Sequence, residues 1–169
     1  MKIKLFLTIA LIAVMTTSFA QQNSTWAKWS WLMGEWKGEG SGQPGQGGGI
    51  FTFKPELNDK ILVRTSHSEY PASGNRPATI HDDLLYVYLD QSGIASKAIY
   101  FDNEGHTINY SVSYPDQSIV LQSDPIPGGP IFRLTYSLLE NQTINTKFEM
   151  SQDGVKFMTY IEGKSKRVK

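Results

Sequence analysis

The chain has 169 residues, and its 16 lysines and arginines are balanced by 16 aspartates and glutamates. This balance excludes the basic field with which nucleic-acid-binding proteins attract phosphates, so no nucleic-acid partner is expected. The chain contains no cysteine, which excludes disulfides and thiol nucleophiles.

The N-terminal segment has the three-part organisation of a secretory signal peptide. Lys2 and Lys4 precede an apolar run over residues 5–14, and small residues end at Ala20. The apolar run has roughly half the length that a membrane-spanning helix needs. We therefore predict a signal peptide over residues 1–20 and a single exported domain over residues 21–169. The mature chain is expected to be periplasmic or secreted, without an integral membrane segment.

A helical pattern follows the predicted cleavage site. Apolar residues recur with helical spacing until Gly34; they are Trp26, Trp29, Leu32 and Met33. Ser24 or Thr25 is available as the N-cap. The pattern predicts a short N-terminal helix whose apolar face closes one end of the β structure that follows.

Ten strand candidates occupy the rest of the chain at the spacing typical of sandwiches and barrels. They are the segments 35–40, 50–54, 60–68, 81–89, 96–101, 107–114, 118–123, 132–139, 143–150 and 156–163. Five connections have the length and composition of hairpin turns, namely 90–93, 102–105, 115–117, 140–142 and 152–154. Successive hairpins form a meander, and a ten-strand meander must close or leave two exposed edges. We therefore predict an all-β, ten-strand antiparallel up-and-down barrel.

Alternation of apolar and polar residues predicts the inward face of three strands. The inward sets are Ile108, Tyr110, Val112 and Tyr114, then Phe132, Leu134, Tyr136 and Leu138, then Ile144, Thr146, Phe148 and Met150. In the segments 60–69 and 81–89, both alternating sets of residues mix apolar and polar side chains. The sequence therefore does not predict which set faces inward.

A family resemblance rests on the segment Gly34-Glu35-Trp36-Lys37-Gly38-Glu39-Gly40. Its Gly-x-Trp resembles the signature of lipocalins and their calycin relatives, and the longer form resembles nitrobindins and uncharacterised lipocalin-like families of bacterial exported proteins. The resemblance implies a barrel in which Trp36 plugs one end and a basic residue, Arg167 or Lys164, lies over it. Nitrobindins bind haem through a histidine near the end of the chain. Because His106 is the last histidine here, no cofactor is expected.

The glycine-rich segment 40–45 matches the pattern G-x-G-x-x-G. That pattern holds phosphate only where it follows a strand and opens a helix. A strand candidate follows it in this chain, so we predict a hairpin loop without a phosphate site.

Two histidines and two carboxylates flank the loop around residues 70–77. They are His67, Glu69, His81 and Asp83. Residues at i and i+2 share a face of a strand, so pairing of these two strands would bring the four side chains together. Such a group suits zinc or a general acid–base pair. It defines a candidate metal site and, as one alternative function, a metal-dependent enzyme.

Aromatic residues with a neighbouring cation define a candidate ligand site. The lining candidates are Tyr86, Tyr110, Tyr114, Tyr136 and Phe148, and Arg64 is the candidate anchor for a carboxylate head group. We predict non-catalytic binding or carriage of a small hydrophobic or amphipathic molecule outside the cytoplasm, with no catalytic residues. The same side chains could instead fill the core, which leaves an interaction domain with a filled barrel as another alternative.

Overall fold

The computed structural model describes residues 25–40, 49–72, 74–75 and 77–168. The predicted signal peptide and Ser24 lie outside the described residues, as does the glycine-rich segment from residue 41 onward. The described part begins with a single 3-10 turn over Ala27–Trp29. That turn is too short to cross a membrane, and no longer apolar helix occurs among the described ranges.

Ten strands follow the turn and account for all ten predicted segments. They are β1 (Gly34–Gly38), β2 (Ile50–Glu56), β3 (Ile61–Tyr70), β4 (Thr79–Tyr88), β5 (Lys97–Asp102), β6 (Thr107–Ser113), β7 (Ser118–Ser123), β8 (Ile131–Leu138), β9 (Thr143–Ser151) and β10 (Met158–Arg167). Each strand pairs antiparallel with the next, and β10 pairs with β1 to close the barrel. The predicted up-and-down barrel is confirmed, and its architecture is compatible with a calycin-like fold.

Aspartates organise several of the turns. In the β9–β10 connection, the Oδ1 atom of Asp153 accepts hydrogen bonds from the backbone N–H groups of Val155 and Lys156. These bonds stabilise the charged carboxylate and lower the pKa of Asp153 below its ordinary value. Gly154 follows with φ of 72°, a conformation that costs glycine little because it has no Cβ.

The end of the barrel that carries the N-terminal turn is packed with aromatic side chains, and we call it the closed end. Trp26, Trp29 and Leu32 are buried there. The predicted helix is only a 3-10 turn; its N-cap residue is Trp26 rather than Thr25, and the Trp26 side chain makes no capping hydrogen bond. Burial of both tryptophans against the strands decides this local conformation, because short helices gain their stability from packing.

Trp36 closes the same end from the first strand. Its side chain is fully buried, and its Nε1–H donates to the carbonyl oxygen of Leu32 over 2.7 Å. The guanidinium of Arg167 lies 4.4 Å from the ring centroid and donates to the carbonyl oxygens of Trp31 and Met33. The cation over Trp36 is therefore Arg167, whereas Lys164 is exposed.

Strands β1, β3, β5, β7 and β9 end, and strands β2, β4, β6, β8 and β10 begin, at the opposite end, which we call the far end. Between these two ends, the side chains of β3 and β4 alternate between the inner and the outer face of the barrel. In β3 the even-numbered residues, including Leu62 and Arg64, face inward, and in β4 the odd-numbered residues, including Asp83 and Leu85, do so. The candidate site is formed around the polar residues that face inward on these two strands.

Candidate functional site

An ion pair lies inside the barrel between β3 and β4. Ser66 pairs with Asp83 and Arg64 pairs with Leu85 in the register, so Arg64 and Asp83 are diagonal neighbours on the inner face. The Nη1 atom of Arg64 is 3.1 Å from Oδ1 of Asp83, and Nη2 donates to Oδ2 over 3.3 Å. The two side chains are only 11% and 4% exposed, so water screens this pair little.

The environment keeps the guanidinium charged despite its burial. Desolvation alone would lower the pKa of Arg64, but the carboxylate of Asp83 raises it, as do nearby tyrosines, and the net change is upward. The interior therefore contains a fixed positive group and a fixed negative group whose charges cancel.

Two tyrosines face the pair from the other side of the barrel. Tyr110 on β6 is 1% exposed and Tyr136 on β8 is fully buried. Burial raises the pKa of Tyr136 to about 12, although the charge of Arg64 lowers it, and burial likewise raises the pKa of Tyr110. Both hydroxyls therefore stay protonated at neutral pH and can donate hydrogen bonds.

Within the residues that the structure describes, four buried polar atoms at or near this pair make no hydrogen bond. They are Nε of Arg64, Oδ1 of Asp83, the hydroxyl of Tyr136 and Oγ1 of Thr146. Oδ1 of Asp83 is close to the guanidinium but has no hydrogen-bond geometry to it. Leaving a buried polar atom without a partner costs about 1–3 kcal/mol, so such atoms are rare in folded proteins. We call Arg64, Asp83, Tyr110, Tyr136 and Thr146 the polar centre.

Beside the polar centre, the inner wall has the small side chain of Thr146 on β9 and then Gly163, which has no side chain, on β10. Tyr136 pairs with Thr146 across β8 and β9, and Thr146 pairs with Gly163 across β9 and β10. Gly163 therefore faces inward beside Thr146. Its φ is not positive, so the backbone conformation does not require a glycine at this position. A strand glycine of this kind often marks a place where another group approaches the backbone closely.

Apolar side chains line the barrel between the polar centre and the far end on this side. The rings of Phe132 and Phe148 stack with centroids 5.6 Å apart and planes inclined by 12°. Phe132 pairs with Met150, and Phe148 pairs with Ile161, so all four face the same interior. The interior thus combines a polar centre with an adjoining apolar wall.

A second group of polar side chains connects the far end to the polar centre. His81 on β4 forms two hydrogen bonds. Its Nδ1 is 3.1 Å from the carboxylate of Glu104, and its Nε2 is 3.1 Å from the hydroxyl of Tyr100. Tyr100 lies 3.2 Å from Oδ2 of Asp102, which is 2.9 Å from Nδ1 of His106. We call these five residues the rim network.

The four candidate metal ligands do not come together. His67 pairs with Asp82 in the register and projects from the outer face, where its Nδ1 is 2.6 Å from Oδ1 of Asp82 and its Nε2 is 3.2 Å from Glu69. His81 and Asp83 face the interior. The predicted convergence is therefore wrong, because it needed both pairs on one face of the sheet. Within the described ranges no three histidines or carboxylates are placed to hold a metal ion, and we identify none of these four as metal ligands.

The ligand-lining candidates divide among three locations. Arg64, Tyr110 and Tyr136 belong to the polar centre, and Phe148 lies in the apolar wall. Tyr114 lies at the closed end, where its hydroxyl accepts from Nε1 of Trp29 over 2.8 Å.

Tyr86 is on the outer face and contacts Phe101 with ring centroids 6.2 Å apart, so its predicted place in the lining is wrong. Alternation in β4 decides this orientation, because Asp83, Leu85 and Val87 occupy the inward positions.

Sequence reasoning missed Asp83 as the partner of Arg64, and it missed Tyr100 and Gly163. Thr146 had a usable signal, because alternation predicted a polar residue among inward apolar ones. The pairing of Arg64 with Asp83 had none, because it depends on the register of two strands whose phases the sequence left open.

A groove of about 410 Å³ lies on the outer wall, away from the polar centre. It is lined by Glu39, Leu139, Glu140, Thr143, Lys164 and Lys166. Lys166 forms an ion pair with Glu39 across the groove. Acidic and basic side chains in this lining balance one another, so the groove has no net charge with which to select a ligand.

The pKa of the exposed His106 leads to a testable prediction about pH. The hydrogen bond and charge of Asp102 raise the pKa of His106. A histidine whose pKa is higher in the folded than in the unfolded protein stabilises the folded state. This stabilisation is complete at pH values below the unfolded-state pKa and is lost as the pH rises through the folded-state pKa. In an NMR titration we expect His106 to titrate above the ordinary histidine value of about 6.5.

The variant Asp102→Asn should return His106 toward that value. Asp82 and Glu69 raise the pKa of His67, so His67 should be unchanged in this variant and serves as the internal control. Equal titration of His106 in the variant and the parent would contradict the assignment.

Compared with known proteins, the chain matches no family model and no curated protein. The functional assignment therefore rests on the geometry of the polar centre and its surroundings.

Proposed function

We propose that this protein is an exported lipocalin-like carrier that binds one small amphipathic molecule inside the barrel without catalysing a reaction. The polar end of the guest lies at the polar centre, and its apolar part lies along Phe132 and Phe148 toward the far end. The observation that carries the proposal is the set of four buried polar atoms that, within the described part of the chain, have no hydrogen-bond partner inside the barrel. The N-terminal signal-like segment supports the location outside the cytoplasm.

The balance of donors and acceptors favours an acidic head group. Nε of Arg64 is a donor, and the hydroxyls of Tyr136 and Thr146 can each donate. Only Oδ1 of Asp83 among the four unpartnered atoms is restricted to accepting. A carboxylate offers two acceptor oxygens and forms its strongest hydrogen bonds with a guanidinium, so it matches these three donors.

The apolar part of the guest supplies most of the affinity in this proposal. Transfer of apolar surface from water contributes about 25 cal/mol per Å², which favours an alkyl or aromatic tail against the stacked phenylalanines. The absence of a side chain at Gly163 gives the guest access to the backbone beside Thr146. An aliphatic monocarboxylate of medium length is the simplest molecule with both properties.

Tyr136→Phe separates a binding role from a structural one. The hydroxyl has no partner in the folded protein, so its removal should leave the free energy of unfolding unchanged or slightly higher. Loss of one hydrogen bond to the guest should weaken binding by about 0.5–1.5 kcal/mol, or roughly 2- to 12-fold in Kd. Displacement of a dansyl-labelled fatty acid by decanoate measures the Kd, and urea denaturation measures the stability.

Tyr86→Phe is the matched control, because it removes the same atom from the outer face and should leave Kd unchanged. Gly163→Val adds a side chain where the guest is placed and should abolish displacement while the barrel still folds. Native mass spectrometry of the protein from its own host gives an independent reading. A parent protein that carries no guest and binds neither probe would support the interaction domain with a filled core.

A further inference from the structure

The charge of the polar centre limits what it can accept. Arg64 and Asp83 cancel each other, so the ionised head group of a guest adds a negative charge that nothing in the pair neutralises. A buried charge without a partner is costly, and proteins commonly avoid that cost by taking up or losing a proton. A titratable base beside the pair would let the guest and a proton bind together.

His81 occupies that position. Its Nε2 is 3.7 Å from Oδ2 of Asp83, on the side of the carboxylate that faces the far end. Its side chain is 27% exposed, whereas that of Asp83 is 4% exposed. His81 can therefore exchange protons with solvent while it contacts the buried pair.

The hydrogen bonds of His81 identify which nitrogen binds the proton. An ionised carboxylate can only accept, so Nδ1 carries a hydrogen and donates it to Glu104. Nε2 of the neutral ring then accepts from the hydroxyl of Tyr100. When Nε2 is protonated it donates to that hydroxyl, which turns to donate to Oδ2 of Asp102 over 3.2 Å. Both states have a complete set of hydrogen bonds.

Carboxylates and a tyrosine hydroxyl surround His81. Asp83 approaches from its own strand, Tyr100 and Asp102 from β5, and Glu104 from the β5–β6 turn. On β3 its register partner is the neutral Ser68, and the charge of Arg64 lies beyond Asp83. Arg64 competes with His81 for the same carboxylate.

We infer that the polar centre binds a carboxylate guest together with one proton, which is held on Nε2 of His81. The guest takes the donors of Arg64, and Asp83 then pairs with the imidazolium of His81. The proton comes from solvent, and no covalent bond to the guest forms or breaks. This inference rests on the proposed function, because it names the ionisation state and the regulation of the same site.

The sign of the pH effect follows from linkage. A proton that binds with the guest makes the affinity rise as pH falls, by at most about tenfold per pH unit. A neutral guest of the same length brings no charge, so its affinity should not depend on the state of His81. The carrier would thus load carboxylates in acidic surroundings and release them in alkaline ones.

Calorimetry of decanoate binding in two buffers with different ionisation enthalpies, phosphate and Tris, measures the protons taken up. We expect net proton uptake on binding of decanoate, and no uptake with decan-1-ol. His81→Gln keeps a side chain able to form hydrogen bonds but cannot be protonated, so decanoate should bind it without proton uptake. His67→Gln is the matched control on the outer face and should keep the uptake of the parent.

The outcomes separate the two proposals. Decanoate binding without proton uptake, or uptake that His81→Gln leaves unchanged, overturns the inference and leaves the carrier function intact. Failure of both decanoate and decan-1-ol to bind overturns both. If His81→Gln does not fold, the ring signals of His81 in the parent decide the question. They should shift toward the imidazolium form on addition of decanoate, and unshifted signals would overturn the inference.

Discussion

Replacement of Arg64 by methionine is expected to lower the free energy of unfolding by about 3–5 kcal/mol. The side chain of Asp83 is only 4% exposed, so loss of Arg64 leaves a buried carboxylate without its cation. Urea denaturation followed by tryptophan fluorescence measures the change, because three of the four tryptophans, Trp26, Trp29 and Trp36, are buried in the folded state. The same variant should lose decanoate binding.

Two further variants identify the cause. In the double variant Arg64→Met with Asp83→Leu, neither charge is present, and most of the lost stability should return because apolar side chains replace the pair. Arg133→Met removes a more exposed arginine, whose side chain is 31% exposed and whose Nε is 2.9 Å from Glu149, a carboxylate only 5% exposed. Lys147 still contacts Glu149 in this variant, so the carboxylate keeps a cation and the control should cost clearly less than Arg64→Met. Equal losses from Arg64→Met and Arg133→Met would contradict the burial of the internal pair.

Replacement of Trp36 by alanine is expected to cost about 3–5 kcal/mol through the cavity that it leaves at the closed end. The indole is fully buried, and its Nε1–H satisfies the carbonyl oxygen of Leu32. Arg167 would lose the ring beneath it, a contact worth on the order of 1 kcal/mol. Thermal and urea unfolding of the purified variant measure the loss.

Trp31→Ala is the matched control, because this tryptophan is only partly buried and packs against the edge of the core. It should cost clearly less than Trp36→Ala. Arg167→Met tests the cation separately and should cost less than Trp36→Ala, because the indole stays in place. A Trp36→Ala protein as stable as the Trp31→Ala protein would show that the closed end is not held by Trp36.

Most of the architecture could be predicted because its signals are local. Turn residues such as those at 102–105 and 152–154 bring neighbouring strands together, and a meander of ten strands closes to protect its edges. Clean alternation also predicted the inward set that contains Tyr110, Tyr136 and Thr146, and those residues do face the interior. These predictions needed no knowledge of contacts between distant residues.

The site was harder to predict because it depends on strand phase. A shift of one residue moves every side chain of a strand to its other face. Polar residues occupy both phases of β3 and β4, so the sequence permitted His67 and His81 to share a face. The register instead pairs Ser68 with His81 and places His67 outside. Tyr86 was assigned to the wrong face for the same reason.

The sequence by itself determined the number of strands, their meander order, the tryptophan at the closed end and the inward faces of the second half of the barrel. Only the tertiary structure decided that Arg64 and Asp83 form a pair in the interior, with His81 beside it and unpartnered hydroxyls opposite. The physical reason is that strand formation depends on neighbouring residues along the chain. The partners of a buried charge depend instead on which strands lie side by side and in which register.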